Sequence, residues 1–162
     1  MIKMKKRFII GLLIGLLPIV LWSQSIDKTI KLKVAVMQNF VKNGDQGETL
    51  FWQTKGKITF GIVHYTDEQN PIFRDLFIKQ YKELLAIYKK MIVSEDEKDT
   101  NLYIKTLIRQ EEDYRKLLST QQLQLYFDKF EDLEKNNPTA FDSFSSLFFS
   151  KKLLELYKTS FE

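Results

Sequence analysis

The chain has 162 residues, with 25 Lys and Arg against 21 Asp and Glu, one His and no Cys. The absent thiol excludes disulfides, Cys-ligated zinc, thiol catalysis and lipid anchoring through an N-terminal Cys, so the fold has to hold by packing. Three Pro and six Gly are too few for a turn-rich β-sandwich or a disordered chain.

Lys3, Lys5, Lys6 and Arg7 precede an apolar run from Phe8 to Trp22, followed by Ser23-Gln24-Ser25. Charge, apolar stretch and small polar residues in that order predict a secretory signal peptide over residues 1–24, cut after Ser23, Gln24 or Ser25. The rival reading is an uncleaved anchor. The run has 15 residues, against about 20 for a spanning helix, and Pro18 near its end suits a leader better. The leader carries four bases and no acid, which leaves 21 of each in residues 25–162. The basic excess therefore belongs to export, and nucleic acid is not an expected partner. The expectation is a periplasmic or secreted protein of a Gram-negative type envelope, without a stable membrane span after cleavage. Residues 25–162 form its single domain.

Ile30, Val34, Met37, Phe40 and Val41 step by three and four, which predicts an amphipathic helix over 26–41. It stops at Asn43-Gly44-Asp45-Gln46-Gly47. Residues 50–65 support two readings. The β-branched and aromatic runs around Lys55-Gly56-Lys57 suit a short β-hairpin, while Phe51, Ile58, Ile62 and Tyr65 share a helical face. Ile72 to Val93 is the clearest helix, with Phe73, Phe77, Tyr81, Leu84, Tyr88 and Met91 in one stripe and lysines opposite. Thr100 to Leu118 is the next, with Tyr103, Leu107, Tyr114 and Leu117 or Leu118 inward. Gln121 to Glu134 follows, with Leu123, Tyr126, Phe127, Phe130 and Leu133 inward. Asn137 caps and Pro138 opens a last aromatic-rich helix, running through Phe141, Phe144, Leu147, Phe148, Leu154 and Tyr157. Residues 138–162 are also a candidate docking helix for a partner. The fold class is mainly α: a small bundle or bent layer of long amphipathic helices.

Two short segments match. Tyr65-Thr66-Asp67-Glu68-Gln69 and Leu118-Ser119-Thr120-Gln121-Gln122 both read apolar, hydroxyl, two residues, Gln. Beyond each Gln, Ile72 and Leu125, Phe73 and Tyr126, and Phe77 and Phe130 stand at equal spacing. The physics is helix entry. A Thr66 or Ser119 hydroxyl accepts the third helical N–H, and Gln69 or Gln122 reaches back to the cap's own N–H. In the second copy Leu118 and Leu123 occupy the positions of a hydrophobic staple. In the first, Asn70 holds the staple position and Pro71 interrupts a helix begun at Thr66, so a helix start at Asn70-Pro71 is the alternative.

This doubled pattern resembles the L-T-x-x-Q repeat of the Spy/CpxP family of small periplasmic chaperones and envelope-stress sensors, over about residues 58–135. Tyr65 and Pro71 depart from the pattern, and the resemblance leaves the Phe-rich tail unexplained. It implies an exported, all-α, non-enzymatic protein that binds partly unfolded clients on an apolar-plus-basic helical surface. Phe77, Tyr81, Lys82 and Tyr88 are the candidates for that surface, and a homodimer is among the assemblies considered. One alternative is an interaction or stress-sensor protein with a single envelope partner. Another is a small-ligand carrier or an enzyme of unknown class.

No catalytic, cofactor or metal site is expected. His64 stands alone, and no nucleophile elbow, zinc-protease, P-loop or dinucleotide pattern occurs. Glu95-Asp96-Glu97 with Asp99 lacks the alternating ligands and central Gly of a calcium loop and reads as a solvated turn. Glu111-Glu112-Asp113 lies on a helix, where neighbours diverge.

Overall fold

The computed structural model describes residues 28–161, so the predicted leader and its cut lie outside the described residues. The described chain is mainly α, without strands. Residues 28–42 are helical (α1), and a 3-10 turn at Gly44–Gln46 leads into α2, Gly47–Val63. Then come α3 (Gln69–Ser94), α4 (Glu97–Lys116), α5 (Thr120–Asn136), α6 (Pro138–Leu147) and α7 (Lys151–Phe161). α2 packs on α3 and on α5, α3 on α4, α5 on α6, and α4 on α7. No helix among the described residues is long and apolar enough to cross a membrane.

The helix boundaries follow local chemistry. His64 ends α2 in the left-handed region (φ 53°), its N–H bonded to the Phe60 carbonyl at 2.9 Å. The Asp96 carboxylate accepts the Lys98 N–H at 2.8 Å and caps α4. Asn137 caps α6 through the Ala140 N–H at 3.1 Å, with Pro138 in the first helical position. The acidic turn is used structurally, since Asp99 takes the Lys90 ammonium at 2.8 Å and the Ser94 hydroxyl at 2.7 Å.

Residues 50–65 resolve as helix. The buried positions of α2 are Gly47, Phe51, Lys55, Thr59 and Val63, one row at steps of four. Two of the five are polar, so the stripe is hidden from a hydrophobic-pattern reading. Burial against α3 and α5 overrides the strand preference of the β-branched residues, whose intrinsic effect is weak.

The single last helix expected after Pro138 is two helices. Phe148 is extended (φ −130°, ψ 178°), and Ser150 restarts the chain by accepting the Leu153 N–H at 3.1 Å. The break sends adjacent rings into different clusters. Phe148 joins the main core between α2, α3, α4 and α5, whereas Phe149 joins Ile104, Ile108, Leu153, Leu154 and Tyr157 under α7. The aromatic tail considered as a docking segment thus has Phe148 and Phe149 enclosed within the domain.

Candidate functional site

The two matching segments meet. Ser119 and Gln122 form a full capping box: the hydroxyl accepts the Gln122 N–H at 3.2 Å, and the Gln122 amide oxygen accepts the Ser119 N–H at 3.0 Å. Thr66 and Gln69 make the same exchange at 3.3 and 3.0 Å. The Asn70 N–H bonds to the Thr66 carbonyl at 3.1 Å, and the next link is missing because Pro71 has no N–H. That is why regular α3 begins only at Gln69. The two glutamine side chains then pair, Gln69 donating to Gln122 at 3.0 Å and Gln122 to Gln69 at 2.8 Å. Below this pair the equivalent rings of the two copies converge on one residue. Tyr114 lies 5.4 Å from Phe73, 5.7 Å from Phe77 and 5.4 Å from Tyr126, centroid to centroid.

A second polar cluster is buried in the core, and the sequence reading missed it. Lys33 (2% exposed), Lys55 (6%) and Glu111 (4%) are enclosed. Lys33 donates to the Phe148 carbonyl at 2.8 Å and lies 3.8 Å over the Phe149 ring. Lys55 donates to the Gln80 amide oxygen at 3.1 Å and faces the rings of Phe51, Phe77 and Phe148. Glu111 accepts Arg115 Nε at 2.9 Å and the Tyr126 hydroxyl at 2.8 Å. Arg115 also donates to the Phe149 carbonyl at 2.7 Å. Burial pushes the Lys33 ammonium down to about 7 and that of Lys55 to about 8, against the attraction of Glu111. Amines that deprotonate so easily are the usual lysine nucleophiles. Here, however, the cavity beside them measures about 20 Å³, room for no more than one water-sized molecule. The cluster therefore serves the fold. Its cations hold two successive carbonyls at the break between α6 and α7.

Wider openings lie elsewhere: one of about 490 Å³ between α5 and α7, lined by Phe127, Phe130, Glu131, Glu134, Lys151 and Glu155, and one beside α2. A groove of about 510 Å³ runs between α2 and the start of α3. Its apolar walls are Trp52, Phe60, Tyr65 and Phe73, with Pro71 at one edge. The Tyr65 and Phe73 rings stack 4.0 Å apart, and Phe60 meets Tyr65 edge-on. Tyr65 is held from behind by its hydroxyl, which bonds to Thr59 and, at 3.1 Å, to the Tyr114 hydroxyl; burial raises its pKa to about 12. Phe60 is 47% exposed. Gly56 sits between Trp52 and Phe60 on the same helical row, and a Cβ there would meet nothing within 4 Å. Lys57 and Arg74 supply charge, Gln53 and Asn70 neutral polarity, and no acidic residue lines the groove.

The expected binding residues divide differently from the prediction. Lys82 is exposed and lies 3.8 Å from Glu48. Phe77, Tyr81 and Tyr88 are 0%, 4% and 3% exposed, and so do not present a surface. α2 and α4 both pack on α3, and the α3 stripe is spent on them: Tyr81 meets Phe51 at 5.3 Å, and Tyr88 meets Tyr103 at 6.4 Å. The groove residues were readable in part, since Trp52, Gly56 and Phe60 recur every four residues. His64 is exposed, beside Phe60. No cluster of metal-ligating side chains occurs among the described residues. Neither a protein-family model, nor a curated protein, nor a solved structure matches the chain.

Proposed function

We propose that the chain is an exported, non-enzymatic binding protein of chaperone type, similar in role to Spy/CpxP proteins, which holds partly unfolded polypeptides in the groove between α2 and α3. The observation that carries this reading is the groove itself. It is aromatic, open along one side and bordered by cations, and it leaves Phe60 half in solvent within a domain whose other rings are mostly covered. An exposed aromatic patch of this kind is a usual mark of an interaction surface. An open trough contacts one or two side chains of an extended segment, whereas small-molecule sites bury most of their ligand. The paired helix caps of the two matching segments and the leader-like N-terminus support the same reading. In place of the α3 stripe, the client surface is assigned to Trp52, Phe60 and Pro71, with Lys57 and Arg74.

The test is aggregation of a chemically unfolded client, followed by light scattering, with and without residues 25–162. The reading expects aggregation to slow at equimolar or higher ratio. An unchanged time course would remove it.

A further inference from the structure

We infer that the groove between α2 and α3 selects one class of polypeptide segment: an aromatic or aliphatic side chain with a carboxylate close by in sequence. The inference rests on the reading of the groove as a client site and adds what the client must carry.

The argument is charge placement. Lys57 and Arg74 are the charged residues lining the groove. Lys57 is exposed and makes no ion pair among the described residues. Arg74 bonds to its neighbour Asp75 at 3.2 Å, with both side chains more than half exposed. An ion pair in that setting is worth about 0–1 kcal/mol, so a client carboxylate competes with Asp75 on nearly equal terms. Asn70 and Pro71 place the first turn of α3 at the groove's edge; Glu68 stands at that helix end with Asp67 before it, so the positive charge at the groove is that of Lys57 and Arg74. The apolar part of the segment is set by space. Gly56 leaves a gap between Trp52 and Phe60 where a ring or branched chain fits against the Tyr65–Phe73 stack. A Lys or Arg beside that ring would meet Lys57 and Arg74 instead, and like charges at a rim discriminate strongly against a partner.

Trp52 is the only Trp after residue 22, so residues 25–162 carry their own reporter in the groove. Two peptides with the same Phe-Leu core, one flanked by Glu and one by Lys, are titrated against Trp52 fluorescence. The Glu-flanked peptide is expected to bind about tenfold tighter at low salt, a difference of about 1.4 kcal/mol, and the gap should close as salt is added. Lys57→Glu with Arg74→Glu should reverse the order. Gly56→Leu should abolish both signals without lowering Tm. Equal affinities, no binding, or an order that survives the double charge reversal would overturn the inference. So would a Trp52 response to decanoate alone, or to protein concentration without peptide, that blocks both peptides. The two proposals fail separately. Slowed aggregation with no peptide preference removes only the charge selectivity, and a charge preference without slowed aggregation removes only the chaperone reading.

Discussion

Gln69 and Gln122 donate to each other's amide oxygens at 3.0 and 2.8 Å across 53 residues of sequence, while each oxygen also accepts a backbone N–H of its own segment, that of Thr66 or of Ser119. The pair ties the entry of α3 to the entry of α5. It sets both helix starts above Tyr114, where the rings that follow each Gln collect. Removing one amide strips a partner from the other and frees that backbone N–H. Gln122 is the more enclosed. Gln122→Ala should therefore cost about 2 kcal/mol of unfolding free energy and Gln69→Ala less, and the double mutant should show a coupling of about 1 kcal/mol. Urea unfolding monitored by circular dichroism measures all three.

Two glycines of α2 should respond in opposite directions. A Cβ on Gly47 would collide with the Phe40 carbonyl and the Tyr81 hydroxyl, so Gly47→Ala should destabilise by about 1–3 kcal/mol. A Cβ on Gly56 points into the open groove, so Gly56→Ala should stabilise by about 0.5–1 kcal/mol through helix propensity alone. Thermal melts of the two variants give the signs directly.

The buried amines predict an alkaline optimum. The pKa of Lys33 falls from 10.5 to about 7 on folding, and that of Lys55 from 10.5 to about 8. Between those values and 10.5 the unfolded chain binds more protons than the folded one, so stability rises with pH across that window. Above pH 10 the sign reverses. Tyr65, Tyr103, Tyr114 and Tyr126 keep their protons in the fold, because burial raises each of them, while unfolded tyrosines ionise. Chemical unfolding between pH 6 and 11 should show a maximum near pH 10, and Lys33→Met should flatten the rise below it.

Truncation after Asn136 removes Phe148 from the main core and uncovers Ile104 and Ile108. It also leaves Lys33 and Arg115 without the carbonyls of Phe148 and Phe149. The shortened chain should lose cooperative unfolding and bind a hydrophobic dye. A sharp melting transition in that variant would show that α6 and α7 are dispensable.

The sequence carried the helices that obey hydrophobic spacing. α3, α4 and α5 were legible from their stripes, and the hydroxyl–Gln spacing gave the Ser119 cap of α5 and the matching Thr66–Gln69 exchange, which sits in the turn before α3, where Glu68 holds the cap position. What it concealed has a common cause. Lys33, Lys55, Thr59, Gln80, Gln110 and Glu111 are polar residues on buried rows, and a polar residue on such a row reads as the solvent face. That concealed the stripe of α2 and the ionic cluster together. The placement of Phe77, Tyr81 and Tyr88 failed for another reason, since periodicity finds an apolar face but does not say what covers it. The break at Phe148–Ser150 left only a Ser cap as a local signal.

The binding surface assigned here is mapped most directly by amide hydrogen exchange on residues 25–162, alone and with a saturating unfolded client. The account predicts added protection concentrated in residues 52–60 and 70–74, the two walls of the groove. Protection confined to α5 and α7, around Phe127, Phe130, Lys151 and Glu155, or no change anywhere, would contradict it.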